Sequence, residues 1–248
     1  MTPTLIQHTI AAWLWSGRRG VVAGAAAAAL HGARWIPDDE AVELVWRNAR
    51  PPAGIVTRRD RLGRDQVVRV GGLPVTSVTR TAFDVGRLTR GDDGVIRLDA
   101  LGNASPFDPF EVLALADEHA GSPGVPRLRD AVTRHDPGAE SPRETWLRLL
   151  LVSAGYPRPR TQIPVCDAFG RARYYLDMGW EDAGVAVEYD GDHHRERAVF
   201  ADDIIRAEFI AERGWSRVRV VAGQREAEIL DRVARARAAG VRSERRAG

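Results

Sequence analysis

Lysine is missing from these 248 residues, so all 36 basic side chains are arginine. That excludes a lysine nucleophile, a Schiff base and a P-loop lysine, because arginine does not give up its proton in proteins. Cysteine is nearly missing too. Cys166 stands alone, which rules out an internal disulfide framework and a cysteine-built zinc site and fits a reducing compartment. Long apolar runs are also lacking. The stretch from Ile10 to Leu30 is broken by Ser16-Gly17-Arg18-Arg19-Gly20, short of the ~20 residues that span a bilayer, and it has no leader-peptide pattern. The expectation is a cytoplasmic protein with no membrane attachment. The net charge of +2 is too small to argue nucleic-acid binding by itself.

What is present is enough to build a core: 44% of residues are hydrophobic, far above what a disordered chain carries. The length admits one large domain or two ordinary ones. The all-arginine basic set is what a GC-rich bacterial genome would encode. A Pro/Gly turn at His135-Asp136-Pro137-Gly138 separates two helical patterns and predicts a domain over 1–136 and another over 139–240, with a disordered tail over 241–248. The fold class expected is α/β (α+β).

In the first half an alanine-rich helix is predicted over Ala23–Leu30. β runs follow at Val42–Trp46, Val67–Val70 and Val75–Thr76. A helix capped by Ser77 then runs to Leu88, with Arg80 and Asp84 as an i,i+4 pair. Two further helices are expected over about Pro106–His119, with Ser105 as cap, and Pro126–Arg134. In the second half Ser141-Pro142-Arg143-Glu144 opens an apolar helix that ends at Gly155. Strands are predicted at about 161–166, 172–178 and 184–190, then a helix over 202–213, a strand over 216–221 and a last helix over 224–238. This is a three-stranded meander followed by a crossover helix to a fourth strand, which implies a mixed sheet flanked by helices.

The chemistry concentrates between Leu176 and His194. Strand alternation puts Val185, Val187 and Tyr189 on one face and Ala186, Glu188 and Asp190 on the other, and the preceding antiparallel strand can bring Asp177 alongside. Three converging carboxylates repel one another unless a cation joins them, and Mg²⁺ takes one or two carboxylates, water and a phosphate oxygen. From Asp177 to Asp203 there are nine acids and two arginines, whereas after Ile204 eleven arginines face six acids. An acidic pocket beside an arginine-rich helix and strand suits a metal acting on phosphodiesters.

Over about Glu140 to Val221 the sequence resembles the PD-(D/E)XK nuclease superfamily, and most of all the domains similar to very-short-patch-repair endonucleases. The matching pieces are Ser-Pro-Arg-Glu144, Gln162, Asp177, Glu188-Tyr-Asp-Gly-Asp-His-His194, Asp203-Ile-Ile-Arg206 and Gly214-Trp215. The resemblance implies a restriction-endonuclease-like αβββαβ core after a smaller mixed α/β domain. It further implies Mg²⁺ or Mn²⁺ held by Asp177 and Glu188, support of the metal shell by Glu144, and DNA as the substrate, ahead of RNA, with Arg206 and Gln162 on the nucleic acid. Asp190 stands where most members of the superfamily carry a lysine, and His194 becomes the candidate general acid or base. The first half is similar to the antitoxin-type domains of the AbiEi family through Ala25–Gly32 and Gly72–Asp84. That likeness implies a toxin or regulatory protein as partner; the winged helix-turn-helix with which such proteins usually begin is not found in this sequence, so either the module is absent or the start is assigned too late.

Blander readings compete. Glu144 completes a Ser-x-x-Glu capping box, Asp190-Gly191-Asp192 reads as an acidic turn, and Asp203 with Arg206 as a helix-surface ion pair. His31 reads as a packed or capping histidine, and the late arginines as a solvated face. Two functions stay open: a metal-dependent endonuclease with a regulatory N-terminal domain, or a non-catalytic antitoxin or DNA-binding regulator that uses a degenerate nuclease fold for docking.

Overall fold

The computed structural model describes residues 2–48, 50–191 and 197–247, with only the backbone described over 197–201 and 241–247. His193 and His194 lie outside the described residues. The chain divides into two compact units, Met1–Pro142 and Arg143–Gly248. The first is the larger by length, where the family resemblance implies the smaller. Both are mixed α/β.

The first unit runs α1 (Leu5–Trp15), β1 (Val21–Ala23), α2 (Gly24–Leu30), β2 (Val42–Val45), β3 (Ile55–Arg58), β4 (Val67–Val70), β5 (Leu73–Thr76), α3 (Val78–Leu88), α4 (Asp92–Ala104), α5 (Pro109–Glu118) and α6 (Val125–Arg134). Its sheet has the order β3-β2-β1-β5-β4 and mixes parallel and antiparallel pairs. Leu5 and Ala12 of α1 and Ala26 and Ala27 of α2 pack on Val22, Val42, Leu44 and Val75 of that sheet. His31 ends α2, with its Nε2 2.7 Å from the Thr76 carbonyl oxygen. Helix α5 starts at Pro109, three residues later than the Ser105-Pro106 signal predicts, because the Asp108 carboxylate accepts from Phe110 N at 2.8 Å and closes the cap there.

Helix α3 is buried from Arg80 to Arg87, and its two arginines meet one carboxylate. Arg80 Nε donates to Asp84 Oδ2 at 2.9 Å, while Arg87 Nε and Nη2 donate to Asp84 Oδ1 at 3.0 and 2.9 Å. Both guanidiniums lie 5.2 Å from the Phe83 ring centroid. The i,i+4 pair expected from sequence is therefore the centre of a larger buried network.

The second unit runs α7 (Pro142–Ser153), β6 (Arg160–Cys166), β7 (Ala172–Trp180), β8 (Val185–Asp190), α8 (Arg197–Glu212), β9 (Ser216–Val221) and α9 (Glu226–Ala247). Its sheet order is β6-β7-β8-β9, with two antiparallel pairs and then a parallel one. Leu147 and Leu151 of α7 and Ile229 and Val233 of α9 cover one face of the sheet. Ile210 of α8 covers the other, with Ile163, Val165, Leu176 and Ala186. The Asp167–Gly170 hairpin closes as read, the Asp167 carboxylate accepting from Phe169 N and Arg171 N at 2.8 and 3.0 Å. Helix α9 continues to Ala247, past the expected end near Ala238 and through the predicted tail. An alanine- and arginine-rich run holds helix well, and Gly240 alone does not stop it. That glycine is required where it stands, since a Cβ there would meet the Ala183 carbonyl oxygen at 2.2 Å.

Among the described residues no helix is long and apolar enough to cross a membrane.

Candidate functional site

On β8, Val185 and Val187 point into the core formed with α7 and α9, and Ala186 into the core formed with α8. Alternation then carries Glu188 and Asp190 to the α8 side. Strand β9 runs parallel to β8 with Glu188 opposite Arg219. Because Val218 and Val220 face α9, Arg217 and Arg219 share the acids' face.

This register decides what the acids touch. Glu188 is 7% exposed. Its Oε1 accepts from Arg206 Nη2 at 2.9 Å and its Oε2 from Arg217 Nη1 at 3.0 Å. Asp190 Oδ2 accepts from Arg219 Nη2 at 2.6 Å, and that nitrogen lies 3.5 Å from Asp203 Oδ2. The surface pair read between Asp203 and Arg206 is thus replaced: Arg206 reaches inward to Glu188 and to the Tyr175 carbonyl oxygen, 2.9 Å away, and Asp203 turns to Arg219.

Asp177 is placed differently. Tyr174 and Leu176 of β7 pack with α8, but Met178 and Trp180 pack on the opposite side. The two-residue alternation breaks between them, at Asp177. The β7–β8 ladder ends at Met178 opposite Val187, and beyond it the Asp177 side chain substitutes for backbone, its Oδ2 accepting from Tyr189 N at 2.8 Å. Across from this break, Gln162 of β6 has a φ of 48°, a left-handed value rare in strands. Its side chain makes no hydrogen bond to the acids among the described residues. Gly179, next in β7, keeps the strands close, since a Cβ there would meet the Val185 carbonyl oxygen at 2.4 Å.

The Asp177 carboxyl is pushed up to about 7 by burial first, then by the charges of Glu144 and Glu188; the Tyr189 N–H and Arg206 pull the other way. Glu144 lies in the first turn of α7. In the same part of that helix, Trp146 meets the Tyr189 ring edge-on at 6.5 Å and Arg143 lies 6.0 Å from its centroid.

The three carboxylates expected to converge on one cation are divided instead. Two are neutralised by guanidiniums, and the third is left with a backbone amide and acidic neighbours. Among the described residues no group of three or more His, Cys, Asp or Glu side chains is arranged to hold a metal ion. A divalent cation that prefers oxygen and keeps most of its water needs only one or two carboxylates. Asp177 with Glu188 fits that need, on condition that Glu188 gives up a guanidinium.

Arg217 and Arg219, which the structure pairs with Glu188 and Asp190, were read from sequence only as part of a generally basic strand. Their signal was present: two arginines at i,i+2 alternating with the apolar Val218 and Val220. A row of arginine–aromatic contacts lies beside them on the same layer. Arg213 sits 3.7 Å from the Phe209 centroid, Arg173 5.3 Å from it, and Arg206 5.7 Å from the Tyr174 centroid.

The chain is similar to two uncharacterized proteins from two strains of Mycobacterium tuberculosis. Each is 29% identical over 199 residues, which span 77% of this chain and 72% of the relative. No family model matches the chain, and no solved structure matches it.

Proposed function

We propose that the second unit is a cytoplasmic, metal-dependent endonuclease domain that hydrolyses phosphodiester bonds in DNA, with the first unit as a regulatory or partner-binding domain. The observation that carries this reading is Asp177. Its carboxyl sits where β7 and β8 part, beside Glu188 and under the charge of Glu144, with one hydrogen bond to a backbone amide and a row of arginines nearby. An acid held this way favours a cation over solvent.

Asp177 and Glu188 would hold Mg²⁺ or Mn²⁺, which when bound supplies an acidified water and neutralises charge on a phosphate. The chain's own groups do the rest. Tyr189 N fixes the Asp177 carboxylate, Glu144 adds negative charge beside it, Asp190 holds Arg219 in place, and Arg206, Arg217 and Arg219 provide guanidiniums suited to phosphate oxygens. Supercoiled plasmid incubated with Mg²⁺ or Mn²⁺ is expected to be nicked by the wild-type chain and not by Glu188→Gln. Duplex affinity is expected to fall steeply with salt. Absence of nicking on any DNA or RNA substrate, with metal bound, would contradict the catalytic part.

A second reading is favoured by a specific feature: both oxygens of Glu188 are already held by arginines, and an aspartate stands at the lysine position. On that reading the unit is a degenerate nuclease fold in an antitoxin or regulator, whose toxin-type partner meets the first unit.

A further inference from the structure

We propose that Arg206 is an exchangeable clamp, held on Glu188 when no cation is present and released to a phosphate oxygen of the nucleic-acid backbone when Glu188 turns to a cation. This rests on the reading of Asp177 and Glu188 as cation ligands. Two arginines hold Glu188, and they differ. Arg217 projects from strand β9 and its side chain is 14% exposed, whereas Arg206 projects from helix α8 and is 35% exposed. Arg217 is therefore the fixed partner and Arg206 the one that solvent and a ligand can reach.

Arg206 is also incompletely satisfied where it stands. One nitrogen, Nη2, serves both Glu188 and the Tyr175 carbonyl oxygen. Its Nε is buried with no hydrogen-bond partner, an arrangement native structures rarely retain. A phosphate oxygen would give this guanidinium an acceptor in place of Glu188, and the planar fork suits phosphate as well as carboxylate. The arginines at 173 and 213 flank it on the same layer, in contact with Phe209, so a backbone track that reaches Arg206 finds further cations beside it.

The clamp predicts that cation and nucleic acid help each other bind, and that Arg206 carries the coupling. Calorimetric titration with Mn²⁺ alone is expected to give about tenfold tighter binding to Arg206→Ala than to wild type, because the cation no longer displaces a charge-assisted hydrogen bond. Binding of a labelled duplex is then followed by fluorescence anisotropy in EDTA and in Ca²⁺. In wild type Ca²⁺ is expected to raise duplex affinity about tenfold, and in Arg206→Ala hardly at all, while both chains bind alike in EDTA. Arg206→Lys keeps the charge and restores part of the coupling. If Arg206→Ala fails to fold, Arg206→Gln, which can still donate to the Tyr175 carbonyl, carries the same comparison. Equal Mn²⁺ affinity in wild type and variant, or a coupling that survives the substitution, overturns the clamp alone. Failure of both chains to bind Mn²⁺ overturns the underlying reading of the acids.

Discussion

Asp84→Ala is expected to destabilise the first unit by about 3–5 kcal/mol, the cost of breaking a buried ion network by removing its shared partner. Asp84 is fully buried and accepts four hydrogen bonds from Arg80 and Arg87, which are themselves 1% and 4% exposed. Without it two guanidiniums remain inside the fold. Arg80 would keep the Gln66 side chain and the Arg61 carbonyl, and Arg87 would keep Asp60. None of these replaces a fully buried carboxylate. Asp60→Asn serves as the comparison: Asp60 is 32% exposed, so water screens its loss and a cost below about 1 kcal/mol is expected. Urea unfolding of both variants measures the difference. A loss under 1 kcal/mol for Asp84→Ala would show that the network is dispensable. The stretch Gly72–Asp84, on which the likeness to antitoxin-type domains partly rests, thus has a structural reason for its arginine and aspartate.

The second large effect is a pH dependence. In the folded chain the Asp177 carboxyl lies at about 7, against an ordinary value of 3.8. A raised folded-state value means that the folded chain binds the proton more tightly than the unfolded one. The stabilisation is fully present below the ordinary value. It is lost as pH rises from about 4 to about 7, and it is constant above that. The shift is worth about 2 kcal/mol once partial exposure of the group is allowed for. Asp177→Asn keeps an oxygen for Tyr189 N and removes the charge. At pH 8, without metal, it is expected to be more stable than wild type, and the slope between pH 4 and 7 should flatten. Thermal melts across that range test the sign. A variant that is less stable than wild type at pH 8, with an unchanged slope, would contradict it.

Much of the second unit was legible in its sequence for a physical reason. Strand alternation and the Asp167–Gly170 turn are local signals, and they yield the α-β-β-β-α-β-α order without tertiary knowledge. The first unit was harder to read. Helix α4 was not predicted: it carries Gly94, Gly102 and Asn103, which are weak helix formers, yet Gly102 is there because a Cβ would collide with the His135 ring at 2.6 Å. Helix α1 passed unread because its apolar residues surround it: Leu5 and Ala12 are buried while Ile6, Ile10 and Leu14 stay exposed. Strand β1, at three residues, is too short to show a period. In the site, the shared face of Glu188 and Asp190 followed from alternation. Their partners did not, because the Arg217–Glu188 and Arg219–Asp190 pairs depend on the parallel register of β8 and β9. The alternation break at Asp177 is likewise set by packing on both faces of β7.

The central claim is that Asp177 and Glu188 form a cation site. Calorimetric titration of Mn²⁺ into the full chain at pH 8, beside Asp177→Asn and Glu188→Gln, tests it most directly. One saturable site in wild type, lost or weakened at least tenfold in both variants, with a melting temperature that rises with metal only in wild type, is the expected result. No saturable binding by the wild-type chain, or equal binding by all three chains, would contradict it.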